Sequence, residues 1–320
     1  MKKLTAWCAL ALAATVLTAC SGTGDEDKPE EVKSSDLTYA VITHGAPGDA
    51  FWDRVKKGAE KAGDDYGVEV VYSASEKPDA QSQLIDGAVA DEVDGIVVSM
   101  ANPDGLESSI KAAVDAGIPV VTINSGVDRF AEFGAITHIG QSETIAGTAV
   151  GEKLKEEGLK NVICVIHEAG NIGHEERCGA AAEALGATMT NLQVDGTDDS
   201  AVQAAITAKL QAEPDIDGVL TLGGQYAIDA VSAVEESGSS AKVATFDLSE
   251  DVVADIESGK ILFAVDQQPY VQGFLGITTL YLKSINGNDV GGGQPVNSGP
   301  AFVTKENAAE VAEYAANGTR

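Results

Sequence analysis

The feature that most constrains the fold of this chain is a regular alternation between short apolar segments and longer amphipathic segments, which begins at Leu37. Segments such as Thr38–Thr43 (TYAVIT) and Gly95–Ser99 (GIVVS) are rich in β-branched residues and apolar throughout. They predict strands that are buried on both faces, as in a parallel sheet. The amphipathic segments between them predict the helices of right-handed β–α–β crossovers. The sequence therefore predicts an α/β protein made of doubly wound parallel sheets.

The alternation predicts two units of similar size. In the first, strands are predicted at 38–43, 68–72, 95–99 and 118–123, and helices at 50–66, 79–90 and 106–116. The pattern starts again after Gly140, with strands at 161–166, 218–222, 242–246 and 261–265, and helices at 144–156, 175–185, 202–212, 226–236, 252–259, 270–285 and 307–314. A folded part of roughly 285 residues exceeds one usual core, which also favours two domains.

Short polar residues follow nearly every predicted strand. The segments are His44–Asp49, Ser99–Asn102, Asn124–Ser125, His167–Glu168, Gly223–Gln225, Phe246–Asp247 and Asp266–Gln268. An open parallel sheet binds ligands beyond the carboxyl ends of its strands. Two such edges facing each other predict a polar cleft between two lobes.

The N-terminus has the features of an export signal. Lys2 and Lys3 precede an apolar run from Leu4 to Leu17, which is too short to span a bilayer comfortably. The run Leu17-Thr18-Ala19-Cys20 resembles the lipobox of bacterial lipoproteins, and the alternative is an ordinary signal peptide with an incidental cysteine. We therefore expect a lipoprotein signal peptide at 1–19, a lipid on Cys20 and an acidic tether at 20–36. We therefore expect an extracytoplasmic protein, anchored to the outer face of the cytoplasmic membrane as a lipoprotein.

The charge of the chain excludes some partners. With 50 acidic and 21 basic residues, the formal net charge is -29 at pH 7. A strongly anionic protein repels nucleic acid phosphates and anionic lipid headgroups. We therefore expect no nucleic acid partner, and membrane contact only through the lipid.

Several short segments have a characteristic order and spacing. They are GDAFW at 48–52 with KGA at 57–59, DGIVV at 94–98, AGIPVVT at 116–122, ERC at 176–178, FD at 246–247 and DQQP at 266–269. Together they resemble the type I periplasmic binding proteins, close to the ribose-binding branch that serves sugar ABC transporters. The resemblance covers nearly all of 37–305. It implies crossings between lobes near 138–141, 266–268 and 298–301, with lobes at 37–138 plus 267–298 and 139–266 plus 299–320.

The resemblance also implies a set of ligand residues. Phe51 and Trp52 match paired aromatics that sandwich a sugar ring, although both could instead pack in the core. Arg177 matches a sugar-binding arginine whose planar fork suits adjacent hydroxyls, the alternative being a surface salt bridge. Asp247 and Gln267 match ligand positions, the alternative being turn or hinge roles. Asp49 matches a polar ligand residue of the first lobe.

The chain departs from the ribose branch at several predicted ligand positions. Asn124 and Ser125 stand where that branch has Asp-Arg, and Gly223-Gly224-Gln225 stands where Asn-Asp is frequent. Met100 and Asn102 lie where a single Asn is common. The predicted ligand set therefore includes Met100, Asn102, Asn124, Ser125, Gly223 and Gln225. The substrate stays open between ribose, a hexose, a cyclic polyol such as inositol and a linear polyol.

Cys164, His167, His174 and Cys178 have a spacing that allows a zinc site, a disulfide or two free thiols. An oxidising compartment favours a Cys164–Cys178 disulfide, and we predict no metal. His167 and Glu168 end a strand at the predicted cleft, so we include both among the ligand residues, with a hinge role as the alternative.

No catalytic motif appears in the sequence. It contains no Gly-x-Ser-x-Gly and no phosphate-binding glycine loop after a strand, so we expect neither an enzyme nor a cofactor. The prediction is a monomeric lipoprotein that captures a neutral sugar or polyol by hinge closure and delivers it to an ABC permease and its ATPase subunit. The alternatives are a nucleoside-binding lipoprotein of the same fold and a sugar-sensing receptor for chemotaxis or signalling.

Overall fold

The computed structural model describes residues 32–320. The predicted signal peptide, the lipidated Cys20 and most of the predicted tether lie outside the described residues. Of the tether, Ser34–Asp36 forms one 3-10 turn just before the first strand.

The chain forms two α/β lobes, each built on a six-stranded sheet. The first lobe begins with β1 (Thr38–Thr43), α1 (Ala50–Tyr66), β2 (Glu69–Ala74), α2 (Pro78–Ala90), β3 (Gly95–Ser99), α3 (Pro103–Asp115), β4 (Val120–Ile123) and β5 (Thr137–Gly140). The second contains α4 (Glu143–Glu156), β6 (Asn161–Ile166), α5 (Ile172–Leu185), β7 (Thr188–Gln193), α6 (Asp199–Ala212), β8 (Gly218–Thr221), α7 (Gly224–Ser237), β9 (Lys242–Phe246), α8 (Glu250–Ser258) and β10 (Ile261–Asp266).

Four further elements complete the two lobes. They are α9 (Pro269–Asn286), β11 (Val296–Asn297), β12 (Ala301–Thr304) and α10 (Ala308–Ala316). The strand orders are β11-β5-β4-β3-β1-β2 in the first sheet and β12-β10-β9-β8-β6-β7 in the second. All neighbouring strands are parallel except β10 and β12. The predicted fold class, two doubly wound lobes, is confirmed.

The chain passes between the sheets three times, after β5, after β10 and between β11 and β12. Each lobe is therefore assembled from separate stretches of sequence. We propose the lobe boundaries given above, 37–138 plus 267–298 and 139–266 plus 299–320. The second and third divisions fall at passages between the sheets, and the first falls inside β5, two residues before its passage.

Helices cover both faces of each sheet. In the first lobe, α1 and α9 cover one face, where Tyr39, Val97 and Val121 are fully buried. The two helices approach so closely that a Cβ at Gly58 would lie 2.0 Å from the carbonyl oxygen of Tyr270. Only glycine permits such an approach between helix backbones.

A disulfide joins Cys164 of β6 to Cys178 of α5, with the two Cα atoms 6.0 Å apart. It fixes the middle of α5, and so the residue next to Cys178, Arg177, against the sheet. Between residues 32 and 320, no group of three or more His, Cys, Asp or Glu side chains is arranged to hold a metal ion. Over the same residues, no helix is both long enough and apolar enough to cross a membrane.

Candidate functional site

A cavity of about 340 Å³ lies between the lobes, beyond the carboxyl ends of the strands of both sheets. This volume falls at the lower end of the range of about 300–1,000 Å³ for small-molecule sites. Its walls include His44, Asp49, Phe51, Trp52, Arg54 and Asn124 from the first lobe, and His167, Glu168, Asn171, His174, Arg177, Gly223, Gln225, Tyr226 and Asp247 from the second. Gln267 and Pro269 line it from the second passage between the lobes.

The first turn of α1 places two aromatic rings at the cavity. The Asp49 side chain caps the helix by accepting hydrogen bonds from the backbone N–H groups of Phe51 (2.8 Å) and Trp52 (3.4 Å). The two rings meet edge to face, with centroids 4.9 Å apart and planes at 78°. They form a corner and not two parallel walls. Trp52 is 4% exposed and also packs against His44, so it belongs to both the core and the cavity wall.

Arg177 is held by a buried carboxylate. Its Nε and Nη2 donate to the two carboxylate oxygens of Glu143, and Nη2 also donates to Gln267 Oε1 at 2.8 Å. Three of its five N–H groups are therefore used within the protein, and the two on Nη1 remain for a ligand. The Gln267 amide donates in turn to Asp247 Oδ1 at 2.8 Å. This network fixes the predicted trio Arg177, Asp247 and Gln267 in one polar wall.

The carboxyl groups of the cavity lose much of their hydration. Burial raises the pKa of Asp247 to about 7, although Arg177 and Gln267 act in the opposite direction. Burial likewise raises the pKa of Asp49 to about 6, against the N–H groups of Phe51 and Trp52. It also raises the pKa of Glu168. Each of these groups has only part of the donors that water would supply, and a ligand with hydroxyl groups can add more.

Three histidines in the cavity wall are neutral. Burial lowers the pKa of His44 and of His167 to about 3, and Arg177 adds to the effect. Burial also lowers the pKa of His174, with His167 as the next cause. The Nδ1 atoms of His167 and His174 are buried and have no hydrogen-bond partner among the described residues. His167 also packs against Tyr226, with ring centroids 3.9 Å apart.

The two lobes touch across the cleft. The backbone N–H of Ile172 donates to the Ala101 carbonyl at 3.1 Å, and the Ser125 hydroxyl lies 3.4 Å from Asn171 Oδ1. His44 Nε2 lies 3.7 Å from Glu168 Oε2. In each pair one residue comes from each lobe, so the structure represents a closed arrangement.

Residues 39–288 match the family model of the periplasmic binding protein domain. The chain belongs to this family. This match confirms the resemblance found in the sequence. Periplasmic binding proteins of this kind are the extracytoplasmic binding components of sugar ABC transporters.

Several relatives of this periplasmic binding protein bind sugars or polyols. It is 45% identical to a carbohydrate transporter from Acidothermus cellulolyticus 11B, solved in complex with myo-inositol, with a TM-score of 0.88 over 89% of this chain and 99% of that one. It is 27% identical to the ribose import binding protein RbsB of Bacillus subtilis, over 83% of this chain and 88% of the relative. The fructose import binding protein FruE of Bifidobacterium longum is 24% identical, over 82% and 84%. All three are named for transport or for binding in import.

All but three of the predicted ligand residues line the cavity of this periplasmic binding protein. Met100 is fully buried in the core of the first lobe. Asn102 caps α3 by accepting from the N–H of Gly105, and it lines a neighbouring hollow. Ser125 lies behind Asn124 and faces Asn171. These three therefore lie beside the cavity and not in its wall.

Sequence reasoning also missed residues that the structure brings to the cavity. His174 and Tyr226 are each the third residue of a helix, and Arg54 lies on the second turn of α1. Apart from the motifs that carry the family resemblance, only the segments that follow strands carried a sequence signal. His44 was visible as one of these rim residues, but nothing in the sequence separated it from its neighbours.

Proposed function

We propose that this protein captures a neutral sugar or polyol, closes its lobes on it and delivers it to an ABC permease. The observation that supports this most directly is the wall formed by Asp247, Gln267 and Arg177, which offers a carboxylate, an amide and guanidinium N–H groups side by side. Adjacent hydroxyl groups can donate to the first and accept from the others. The relative bound to myo-inositol supports a cyclic polyol in particular.

The charges of the cavity argue against an anionic substrate. Six carboxyl side chains line it, those of Asp49, Glu168, Asp199, Asp229, Asp247 and Asp251. Only two cations do so, Arg54 and Arg177, and Arg177 already pairs with Glu143. A sugar acid or sugar phosphate would therefore meet repulsion from several sides, whereas a neutral polyol would not.

The aromatic corner supplies the apolar part of the site. A sugar or cyclic polyol presents C–H groups on its ring faces, and these pack well on an aromatic ring. Phe51 and Trp52 offer such surfaces in the wall of the same cavity. Binding then joins both lobes through one ligand, which favours the closed form over the open one.

The anchoring and the assembly state belong to the same proposal. The lipobox-like run that ends at Cys20 supports a lipid anchor on the outer face of the cytoplasmic membrane. The acidic residues that follow would hold the lobes away from the bilayer. We expect a monomer, because ligand capture requires only the two lobes of one chain.

A melting-point screen of the purified protein tests this function. We expect myo-inositol or a neutral monosaccharide to raise the Tm, because a ligand that binds only the native state stabilises it by mass action. The panel is myo-inositol, D-ribose, D-fructose, D-glucose, D-glucuronate and adenosine, and calorimetry gives the Kd of each hit. Stabilisation by adenosine alone would favour a nucleoside receptor, and stabilisation by D-glucuronate alone would contradict the proposal.

A further inference from the structure

Arg54 is a buried cation at the cavity that pairs with no Asp or Glu side chain within residues 32–320. The side chain lines the cavity, and the residue is 9% exposed. Among those residues its hydrogen bonds go to two main-chain oxygens, those of Ala50 and of Arg320, the last residue of the sequence. Burying a guanidinium whose N–H groups are not all satisfied is unfavourable, so an arginine in this state at a binding cavity indicates a role in function.

Two main-chain oxygens fix the orientation of Arg54. Nη1 donates to the Ala50 carbonyl at 2.6 Å, and Nε donates to the main-chain oxygen of Arg320 at 3.0 Å. These bonds leave both N–H groups of Nη2, and one of Nη1, without a protein acceptor among the described residues. The guanidinium is therefore rigid, and part of it is free to bind a ligand.

The oxygen of Arg320 comes from the second lobe, whereas Arg54 belongs to the first. Helix α10 packs in the core of the second lobe through Ala308, Val311 and Ala315. The segment that follows it, 317–320, reaches α1 of the first lobe, where Lys57 also donates to the Asn317 carbonyl. The Arg320 side chain donates to Asp266 Oδ2 at 2.6 Å, at the end of β10 where the chain passes between lobes. The position of Arg54 thus depends on a contact made by the second lobe.

We propose that Arg54 is a ligand-binding residue that donates hydrogen bonds to an oxygen of the bound polyol, and that Arg320 positions it. This inference rests on the proposed function. The acceptor is a neutral hydroxyl or ether oxygen and not an anion, because six carboxyl side chains line the same cavity as Arg54. Arg54 would then face the same ligand as Asp247, as donor and acceptor respectively.

Calorimetry with the tightest-binding compound of the panel tests the assignment. We expect Arg54→Gln to raise the Kd at least tenfold, because the ligand loses a charge-assisted hydrogen bond. Lys61→Gln removes the same charge from an exposed position on the same helix and should change the Kd less than twofold. Arg54→Lys should raise the Kd at least threefold, since an ammonium cannot keep both carbonyl bonds and the ligand contact. If Arg54→Gln lowers the Tm too far for calorimetry, the lysine variant carries the test.

Monodeoxy analogues of that compound distinguish contact from structural damage. If Arg54 binds one oxygen, the analogue that lacks this oxygen should bind wild type and Arg54→Gln with equal affinity. An equal loss for every analogue would show that Arg54 acts only through structure and would overturn the proposal. So would an unchanged Kd in Arg54→Gln.

The role of Arg320 has its own test. We expect Arg320→Gln, which loses the contact with Asp266, to raise the Kd two- to fivefold in wild type. In the Arg54→Gln background it should have no further effect, because it acts through Arg54. Additive losses would overturn the positioning role. If wild type binds none of the panel, the proposed function itself fails; if wild type binds and Arg54→Gln binds equally well, only the assignment of Arg54 fails.

Discussion

At the scale of single residues, the cavity shows a conflict between stability and binding. Asp247 is almost fully buried, and its pKa is raised from 3.8 to about 7. A carboxyl group whose pKa is higher in the folded state than in the unfolded state destabilises the fold above the unfolded pKa. The penalty grows between pH 4 and pH 7, and it is complete above pH 7.

Asp247→Asn should therefore stabilise the unliganded protein and weaken binding. At pH 8 we expect the free energy of unfolding to rise by roughly 1–3 kcal/mol, with no gain at pH 4. The asparagine can still accept from Gln267, so the wall should keep its shape. The Kd should rise at least tenfold, because a carboxylate is the stronger acceptor for ligand hydroxyls. Urea unfolding at the two pH values and calorimetry measure the two effects, and a less stable variant at pH 8 would contradict the argument.

Ligand affinity should fall as the pH is lowered. Hydroxyl donors from the ligand stabilise the carboxylate forms of Asp247 and Asp49, whose pKa values are about 7 and about 6 in the empty cavity. Binding then releases protons, so the Kd should increase as the pH drops from 8 to 5. Calorimetry at four pH values, in buffers with different ionisation enthalpies, detects both the trend and the released protons. A Kd that is constant from pH 8 to pH 5 would exclude this role for the two carboxyls.

Replacing Trp52 should affect both stability and binding. Trp52→Ala removes a ring that packs in the core and lines the cavity, so we expect a loss of roughly 3–5 kcal/mol in stability. In addition, the Kd of the folded variant should be more than tenfold higher than that of wild type. Trp52→Phe keeps an aromatic face and should retain most of the affinity. Equal binding by wild type and Trp52→Ala, measured on folded protein, would rule out stacking on this ring.

At the scale of elements, the close approach of α1 and α9 depends on glycine. A Cβ at Gly58 would lie 2.0 Å from a backbone oxygen, so Gly58→Ala must push the helices apart. We expect a loss of more than 2 kcal/mol in the free energy of unfolding, measured by denaturant titration. Gly87→Ala is the matched control. Gly87 also lies inside a helix, α2, but a Cβ there would meet nothing within 4 Å. That variant should gain up to about 1 kcal/mol from helix propensity.

The strands and helices also show which elements can be predicted from the sequence. The central strands β1, β3 and β6 are buried apolar runs, and each was predicted with the bounds that the structure has. Strand β7 (TMTNLQ) was missed because it lies at the edge of its sheet, is partly exposed and lacks an apolar run. Strands β5, β11 and β12 are short and were also missed. Helices α2 and α3 begin earlier than predicted, each at a proline in its first turn.

The same reasoning explains which site residues could be predicted from the sequence. Polar residues at strand ends, such as Asp247 and Gln267, were predicted because the topology of a parallel sheet determines where they lie. Arg54 and Tyr226 could not be predicted, because their roles depend on which side of a helix faces the other lobe. The pairing of Arg177 with Glu143 joins residues 34 positions apart in sequence. It needs the packing of α4 on α5, which no local pattern reveals.

At the scale of the whole molecule, closure depends on a few contacts between the lobes. One of them is the hydrogen bond from the N–H of Ile172 to the Ala101 carbonyl. Ile172 is the first residue of α5, a position where proline is well tolerated in a helix. A proline there would remove this one donor and leave the helix intact.

Ile172→Pro should therefore weaken binding without altering the ligand contacts. We expect the Kd to rise about two- to tenfold, the value of one hydrogen bond of about 0.5–1.5 kcal/mol. Ile172→Ala is the control, because it loses the side chain but keeps the N–H. Small-angle scattering with saturating ligand should show that both variants reach the wild-type closed state. If the alanine variant loses as much affinity as the proline variant, the N–H is not responsible.

The late position of α9 in the chain has a consequence for biogenesis. This helix covers the face of the first sheet that contains Tyr39, Val97 and Val121, yet it follows the entire sheet of the second lobe except β12. A polypeptide emerging from the ribosome thus exposes that apolar surface while most of the remaining chain is still being made. The first lobe, although encoded first, can therefore be completed only after β6–β10 of the second lobe have been made.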